Sequence, residues 1–342
     1  MTSLPTDYSY LYGKPLSRAT IRTSPEDFCV TEKLGFEPEG EGEHVFLYIR
    51  KRGENTDWVA RQLANFAQVS PRDVSYAGKK DRHAVTEQWF CVKFPMRRSL
   101  TWSLFGGDSV EVLQAVRHPR KLRLGTLQGN RFGLRLRNVT DPDDLAKRLA
   151  MVRQGVPNYF GEQRFGFDYG NLDKGIALMR GEFKERQRHK KGLYISAVRS
   201  WLFNQLLSAR IGQNMWQTLQ PGDAMMLAGS QSCFVADNPE AETDRLLQAD
   251  IHLTGPMWGR GELMSQGPSR DWELAQLSDW IEIRQGLEAL GLKQERRALR
   301  LMPVDLQATA ESDDTWWLEF DLPSGAFATS VLREIALIES AS

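Results

Sequence analysis

The string best equipped for chemistry is Gly78-Lys79-Lys80-Asp81-Arg82-His83-Ala84, a carboxylate set among cations just after a strand-like segment and a glycine. Nearby positive charge favours an ionised carboxylate, which makes Asp81 a candidate nucleophile or general base at neutral pH. The same cations, Lys80 among them, suit a phosphate backbone beside it. A solvated charged turn has the same composition. The string Arg117-His118-Pro119-Arg120-Lys121-Leu122-Arg123 has five basic positions in seven if His118 is counted, and Gly129-Asn130-Arg131-Phe132 follows. Basic residues track phosphates, while an Asn amide and aromatic faces recognise a base; an exposed basic loop before a strand is the plainer alternative. In Arg22–Glu32 (RTSPEDFCVTE), Ser24-Pro25-Glu26-Asp27 reads as a turn or helix start, with Phe28 and Val30 in the following strand. Arg22 could pair with a distant carboxylate that these residues do not name.

Other chemistries lack support. His44, His83, His118, His189 and His252 are widely separated, and none has HExxH spacing. There is no GxGxxG, P-loop or GxSxG. Cys29, Cys91 and Cys233 are odd in number and far apart, which excludes a disulfide scaffold and suits a reducing, cytoplasmic compartment. No apolar run reaches membrane-spanning length, and the opening residues lack a signal-peptide layout. At 342 residues the length predicts about two domains. The zero net charge hides an asymmetry. Residues 51–200 hold 29 Lys or Arg against 15 Asp or Glu, whereas residues 201–342 hold 10 against 21. A basic middle suggests a polyanion footprint, with nucleic acid the commonest such partner.

The elements that must position these residues alternate irregularly. Residues 43–50 (EHVFLYIR) read as a buried strand, and Thr56 or Asp57 as the cap of a helix using Val59, Leu63 and Phe66-Ala67. Strands are predicted at 74–77, 88–94 and 131–137, the last with Phe132, Leu134 and Leu136 on one face and Arg131, Arg135 and Arg137 on a cationic outer face. Asp141-Pro142-Asp143-Asp144 opens a helix that Gly155 stops. After Gly155 the texture changes to an aromatic loop, and Lys184–Lys191 is a cationic run. Residues 196–211 and 272–300 read as helical, 315–321 as a strand and 327–339 as a final helix. Without an even βαβ rhythm the class is α+β.

Gly40-Glu41-Gly42-Glu43-His44, Ala77–Trp89 (AGKKDRHAVTEQW), Lys121–Gly125 (KLRLG), Gly155–Gly161 (GVPNYFG) and Gly325–Ser330 (GAFATS) occur in an order that resembles the TruD family of tRNA pseudouridine synthases, over nearly the whole chain. The resemblance implies a fold of two domains in a V around a basic cleft. A pseudouridine synthase catalytic domain, with a mixed, largely antiparallel sheet flanked by helices, would comprise 1–155 plus 303–342. An inserted TruD-specific α+β domain would comprise 156–302. It implies isomerisation of the uridine at position thirteen of tRNA, without metal or organic cofactor, by a cytoplasmic chain expected to be a monomer. Residue by residue it makes Asp81 catalytic and Arg22 its RNA-facing basic neighbour. Phe28 would contact the uracil, Asn130 bind the base and Phe327 add an aromatic contact, with Phe132 where other pseudouridine synthases commonly carry Tyr. Lys79 stands where some relatives have Gln.

On this expectation the N1–C1′ bond breaks, the uracil turns and C5 rejoins the sugar, with Asp81 acting as nucleophile at C1′ or as base on the ribose. Arg22 would orient Asp81, and Lys80 would help hold the substrate. Phe132 has no exchangeable proton and would stack. Two other readings of the residues are a non-enzymatic RNA-binding or chaperone protein using the same basic cleft, and an N-glycosidase, which would release free uracil.

Overall fold

The computed structural model describes residues 4, 6–236 and 238–340. The sequence expectations for residues 1–3, 5, 237, 341 and 342, including part of the signal-peptide reading and the outermost ends of the expected domains, lie outside the described residues. The chain divides into two compact units. One takes Pro15–Arg153, Pro303–Ala328 and Ile335–Ser342; the other takes Met1–Lys14, Gln154–Met302 and Thr329–Glu334.

The first stretch forms β1 (Arg18–Ile21), β2 (Phe28–Leu34), β3 (His44–Arg52), α1 (Thr56–Ala67), β4 (Val74–Tyr76), β5 (Val85–Lys93), β6 (Gly106–Gly107), β7 (Val110–His118), β8 (Leu127–Leu136) and α2 (Pro142–Val152). β3 is covered on both faces, so its sequence is a continuous apolar run. Val45, Leu47 and Ile49 pack with Val59, Leu63 and Ala67 of α1 and with Phe90 and Val92. Phe46 turns the other way, to Trp89, Cys91 and Leu122. α2 opens as expected: the Asp141 side chain accepts a hydrogen bond from the Asp144 N–H, with Pro142 in the first turn. α1 also forms, but Asn55 is the residue that flanks it. Thr56 is not the cap. Its hydroxyl donates to Gln88 Oε1 at 2.9 Å and accepts from the Lys80 N–H at 3.1 Å.

The middle of the chain forms β9 (Val156–Pro157), α3 (Gly170–Met179), α4 (Arg188–Gly212), β10 (Ala224–Leu227), β11 (Cys233–Val235), α5 (Thr243–Leu247), β12 (Ile251–Met257), α6 (Gly267–Gln276), α7 (Ile281–Ala289), β13 (Glu295–Ala298) and β14 (Arg300–Leu301). α4 buries Val198, Trp201, Leu202, Leu206 and Leu207, the stripe read from the sequence. β10 to β13 make an antiparallel sheet in the order β11-β10-β12-β13. The helix expected over 272–300 is corrected here, because helix ends at Ala289 and Gly291 adopts φ +74°. In the extended β13, Arg296 donates to Thr254 O at 2.7 Å and pairs with buried Glu273 at 2.7 Å, and those bonds override helix propensity.

The chain then adds β15 (Val304–Ala310), β16 (Trp316–Pro323), α8 (Ala328–Ile335) and β17 (Leu337–Ser340). β15 and β16 complete a nine-stranded sheet ordered β15-β16-β8-β2-β5-β3-β7-β6, with β4 also on β5. Every neighbouring pair is antiparallel except β2–β5, so the sheet is mixed and largely antiparallel, as expected. The final helix stops at Ile335 and not at 339, because Leu337–Ser340 pair in parallel with β1. Within the other unit, Glu334 Oε2 accepts from the Leu11 and Tyr12 N–H groups, and Arg333 donates to Tyr8 O and Ser9 O. Residues the sequence reading assigned to the catalytic domain thus belong to the same compact unit as 154–302.

Candidate active site

Strand register brings one row of residues onto one sheet face: Lys51 of β3, Thr86 of β5, Val30 of β2, Phe132 of β8 and Phe320 of β16. Two residues along, the same face carries Gln88, Glu32, Asn130 and Leu322. The loop between β4 and β5 lies over this polar stripe and is tied to it at several points. Gln88 Nε2 donates to Gly78 O at 3.2 Å, and Lys80 Nζ meets Glu32 Oε1 at 2.6 Å. Glu32 Oε2 accepts from the Trp89 N–H at 2.7 Å, and this carboxylate is 3% exposed. Lys51 Nζ donates to Asp81 O at 3.0 Å and to Glu54 O at 2.8 Å.

This scaffold leaves the Asp81 side chain about a quarter exposed (26%). Its Oδ2 accepts from Arg22 Nη2 at 2.8 Å and its Oδ1 from the His83 N–H at 3.0 Å. The distant carboxylate partner of Arg22 is therefore Asp81, 59 residues away. Arg22 sits at φ +61°, in the left-handed region that arginine rarely adopts, and its guanidinium carbon lies 4.2 Å from the centre of the Phe28 ring. Phe28 meets Phe132 edge to face at 6.4 Å, and Phe132 stacks on Phe320 at 5.7 Å. Asn130 shares their face, and its Oδ1 is buried with no hydrogen-bond partner among the described residues. A buried amide oxygen without a donor is costly unless a ligand supplies one. Gly129 lets β16 approach there, since a Cβ at that position would stand 2.4 Å from Leu322 O.

Structure thus joins Asp81, Arg22, Phe28 and Phe132 in one contact chain with Asn130 on the same face. Phe327 is half-buried and follows the turn after β16, whose Pro323 pairs with Gly129. The Lys80 ammonium is turned into the sheet, 7% exposed against Glu32. Arg117 and His118 are structural too: Arg117 Nη1 donates to Gly42 O at 2.9 Å, and buried His118 stacks on Phe36 at 5.1 Å. Arg120, Lys121 and Arg123 are exposed, on a loop held beside the site by a 3.0 Å bond from the Gly125 N–H to Ala77 O. The arginines of β8, with Arg137 just after it, do not form an open cationic face. Arg131 pairs with Glu319, Arg135 with Glu311 and Asp27, and Arg137 with Asp27.

Sequence reasoning passed over Glu32, Gln88 and Lys51. Lys51 ended an alternation whose other members, Val45, Leu47 and Ile49, are core, and that pattern was the available signal. Burial pushes the Lys51 ammonium down to about 8, with Asp81 opposing the shift and Lys80 adding to it. Among the described residues no group of His, Cys, Asp and Glu could hold a metal ion, and no helix is long and apolar enough to cross a membrane. The arrangement offers an oriented carboxylate beside a cation, aromatic surface and an unmatched amide, the set needed to hold a planar polar ring and act on what it is attached to.

The family model described as tRNA pseudouridine synthase D (TruD) matches residues 7–189 and 179–335. The tRNA pseudouridine synthase D of Aeromonas salmonicida is 47% identical over 336 residues, covering 97% of this chain and 95% of that protein. The protein of the same name from Shewanella oneidensis is 48% identical over 330 residues, 95% of this chain and 88% of its own. The crystal structure assigned to tRNA pseudouridine synthase D of Methanosarcina mazei superposes with a TM-score of 0.71 at 22% identity, covering 98% of this chain and 96% of that one, which establishes a shared fold. The chain belongs to the TruD family. It is accordingly an enzyme of the isomerase class, a pseudouridine synthase.

Proposed function

We propose that this chain converts uridine at position thirteen of its tRNA substrates to pseudouridine, with Asp81 as the catalytic residue. One observation carries the reading. An Asp81 carboxylate held by Arg22 adjoins the Phe28–Phe132 rings, on a face where Asn130 presents a buried oxygen with no donor. The family name of the relatives supports tRNA as the partner.

The target base must leave its stack, at a cost of a few kcal/mol, and be held by stacking and polar contacts. Phe28, Phe132 and Phe327 supply aromatic surface, and Asn130 Oδ1 is an acceptor suited to the uracil N3–H. Asp81 acts on the sugar, as nucleophile at C1′ or base on the ribose, while the N1–C1′ bond breaks; the turned uracil then forms a C5–C1′ bond, releasing Asp81, as C5 loses its proton and N1 gains one. Arg22 sets the direction of the carboxylate. Lys80 acts from behind the site through its pair with Glu32, fixing the loop. Arg120, Lys121 and Arg123 hold backbone phosphates. The reading places the inserted TruD-specific domain at 156–302, and takes the chain to act as a cytoplasmic monomer without metal or organic cofactor. Position-specific mapping of pseudouridine in tRNA from cells with and without the chain tests it. Loss at position thirteen is expected; an unchanged map, or free uracil released by the purified protein, would contradict it.

A further inference from the structure

We infer that Lys51 is a positioning residue of this site: its buried ammonium fixes the main chain at Asp81 and adds there a buried positive charge that no carboxylate among the described residues bonds directly. The inference rests on the reading of Asp81 as catalytic.

Arg22, Lys80, Lys51 and Arg82 all lie near Asp81, and they differ in what they face. Arg22 bonds the Asp81 carboxylate itself, and Lys80 bonds Glu32. Lys51 instead donates to two main-chain carbonyls, those of Asp81 and Glu54, and is 0% exposed. It occupies the end of a row that is otherwise Val45, Leu47 and Ile49, where an apolar side chain would complete the core. A buried ammonium is expensive to desolvate, and even a buried ion pair can often be replaced by well-packed apolar groups at no cost in stability. A lysine here therefore works against the packing logic of its own strand, while its charge points at the backbone of the residue that does the chemistry.

Two consequences follow from the geometry. The bonds to Glu54 O and Asp81 O clamp the turn after β3 to the loop that carries Asp81; the Arg82 Nε bond to Gly53 O at 3.2 Å closes the same junction from outside. Whether Asp81 bonds C1′ or takes the C2′ proton so that C1′=C2′ forms, the carboxylate loses its charge as N1–C1′ breaks and its electron pair leaves with the uracil, and the ammonium remains nearby to stabilise the displaced anion. The charged groups facing Lys51 are Asp81 and Lys80 on the loop and Glu54 on the turn, with Arg22 reaching it through Asp81. Below about pH 8 the folded protein carries the ammonium, and above it the amine is neutral.

The test uses the full chain and unmodified tRNA carrying C5-tritiated uridine, with kcat and KM measured on both sides of pH 8 for the parent, Lys51→Met and Lys51→Arg. Lys51→Met should lower kcat roughly 100-fold with KM changed less than about twofold. The parent should lose kcat as pH rises through about 8, a limb absent from Lys51→Met and moved to higher pH in Lys51→Arg, whose guanidinium does not titrate there. A limb unchanged in either variant belongs to the substrate and overturns the inference. So does a Lys51→Met protein with parental kcat, or one whose activity loss merely follows lost thermal stability and tRNA affinity. Should Lys51→Met fail to fold, the parent and Lys51→Arg profiles decide alone: no fall through pH 8 in the parent, or an unshifted fall in Lys51→Arg, refutes it. Retained turnover in Asp81→Asn would instead refute the reading beneath it.

Discussion

Two basic segments stand close in sequence and differ in what surrounds them. In β8 and the residue after it, Arg131, Arg135 and Arg137 each face a carboxylate within 3.3 Å, from Glu319, Glu311 or Asp27. In the loop before β8, Arg120, Lys121 and Arg123 are exposed, and among the described residues the Lys121 ammonium donates only to a carbonyl, Arg72 O, at 3.0 Å. Both read as cationic in the chain, yet the first is cancelled by partners from β16, from the turn between β15 and β16, and from the turn before β2. Position in the sequence does not make a cation available to a phosphate; the absence of a nearby carboxylate does. The strand arginines should thus act on stability and the loop cations on tRNA binding.

The largest effect should come from breaking the strand network. Asp27 is fully buried and accepts from Arg137 at 2.8 and 2.9 Å. Asp27→Ala should cost about 3 kcal/mol in urea unfolding, because two arginines lose their anion. Burial raises the Asp27 pKa, but bonds from Arg137, the Ser24 N–H and Arg135 outweigh it and leave the carboxyl below its ordinary value. That stabilisation is present at neutral pH and disappears as pH falls below the ordinary carboxylate range. An unfolding midpoint within error of the parent would break the comparison on this side. Next in size, joint reversal of Arg120→Glu and Lys121→Glu should raise KM about tenfold with kcat within about twofold, and flatten the salt dependence of binding. Equal losses in kcat and KM would argue against a backbone contact. Smaller again, Arg123→Ala should reduce the slope of log affinity against log salt by roughly one. Smallest of all, Arg135→Ala should leave tRNA affinity within about twofold; a loss matching that of Arg123→Ala would show that its pairing does not withhold it from RNA.

Most helices and the strands β2, β3, β4, β5, β8 and β16 were legible because their signals are local, whereas β6, β7 and β15 were not read from the sequence. The α2 cap, the α4 stripe and the β8 alternation each lie within a few residues. The failures share a cause in long-range pairing. Leu337–Ser340 became a strand because β1, over 300 residues earlier, offers an edge, and Glu295–Ala298 did so because β12 does. Asp81 stood out by its string, whereas the residues around Arg22 do not name its acceptor; the family resemblance pointed to Asp81, and the parallel alignment of β2 with β5 brings the two together. Thr56 illustrates the same limit: its sequence suggests a cap, yet its hydroxyl bonds the loop that holds Asp81.

The most direct measurement is tritium release from C5-labelled uridine in tRNA by Asp81→Asn beside the parent, with tRNA affinity determined on the same preparations. Release should fall roughly 10³-fold or more while affinity stays within about threefold, since the substitution keeps the shape and removes the reactive oxygen anion. Parental release by the variant, or a loss of release matched by lost tRNA binding, would contradict the assignment of the chemistry to Asp81.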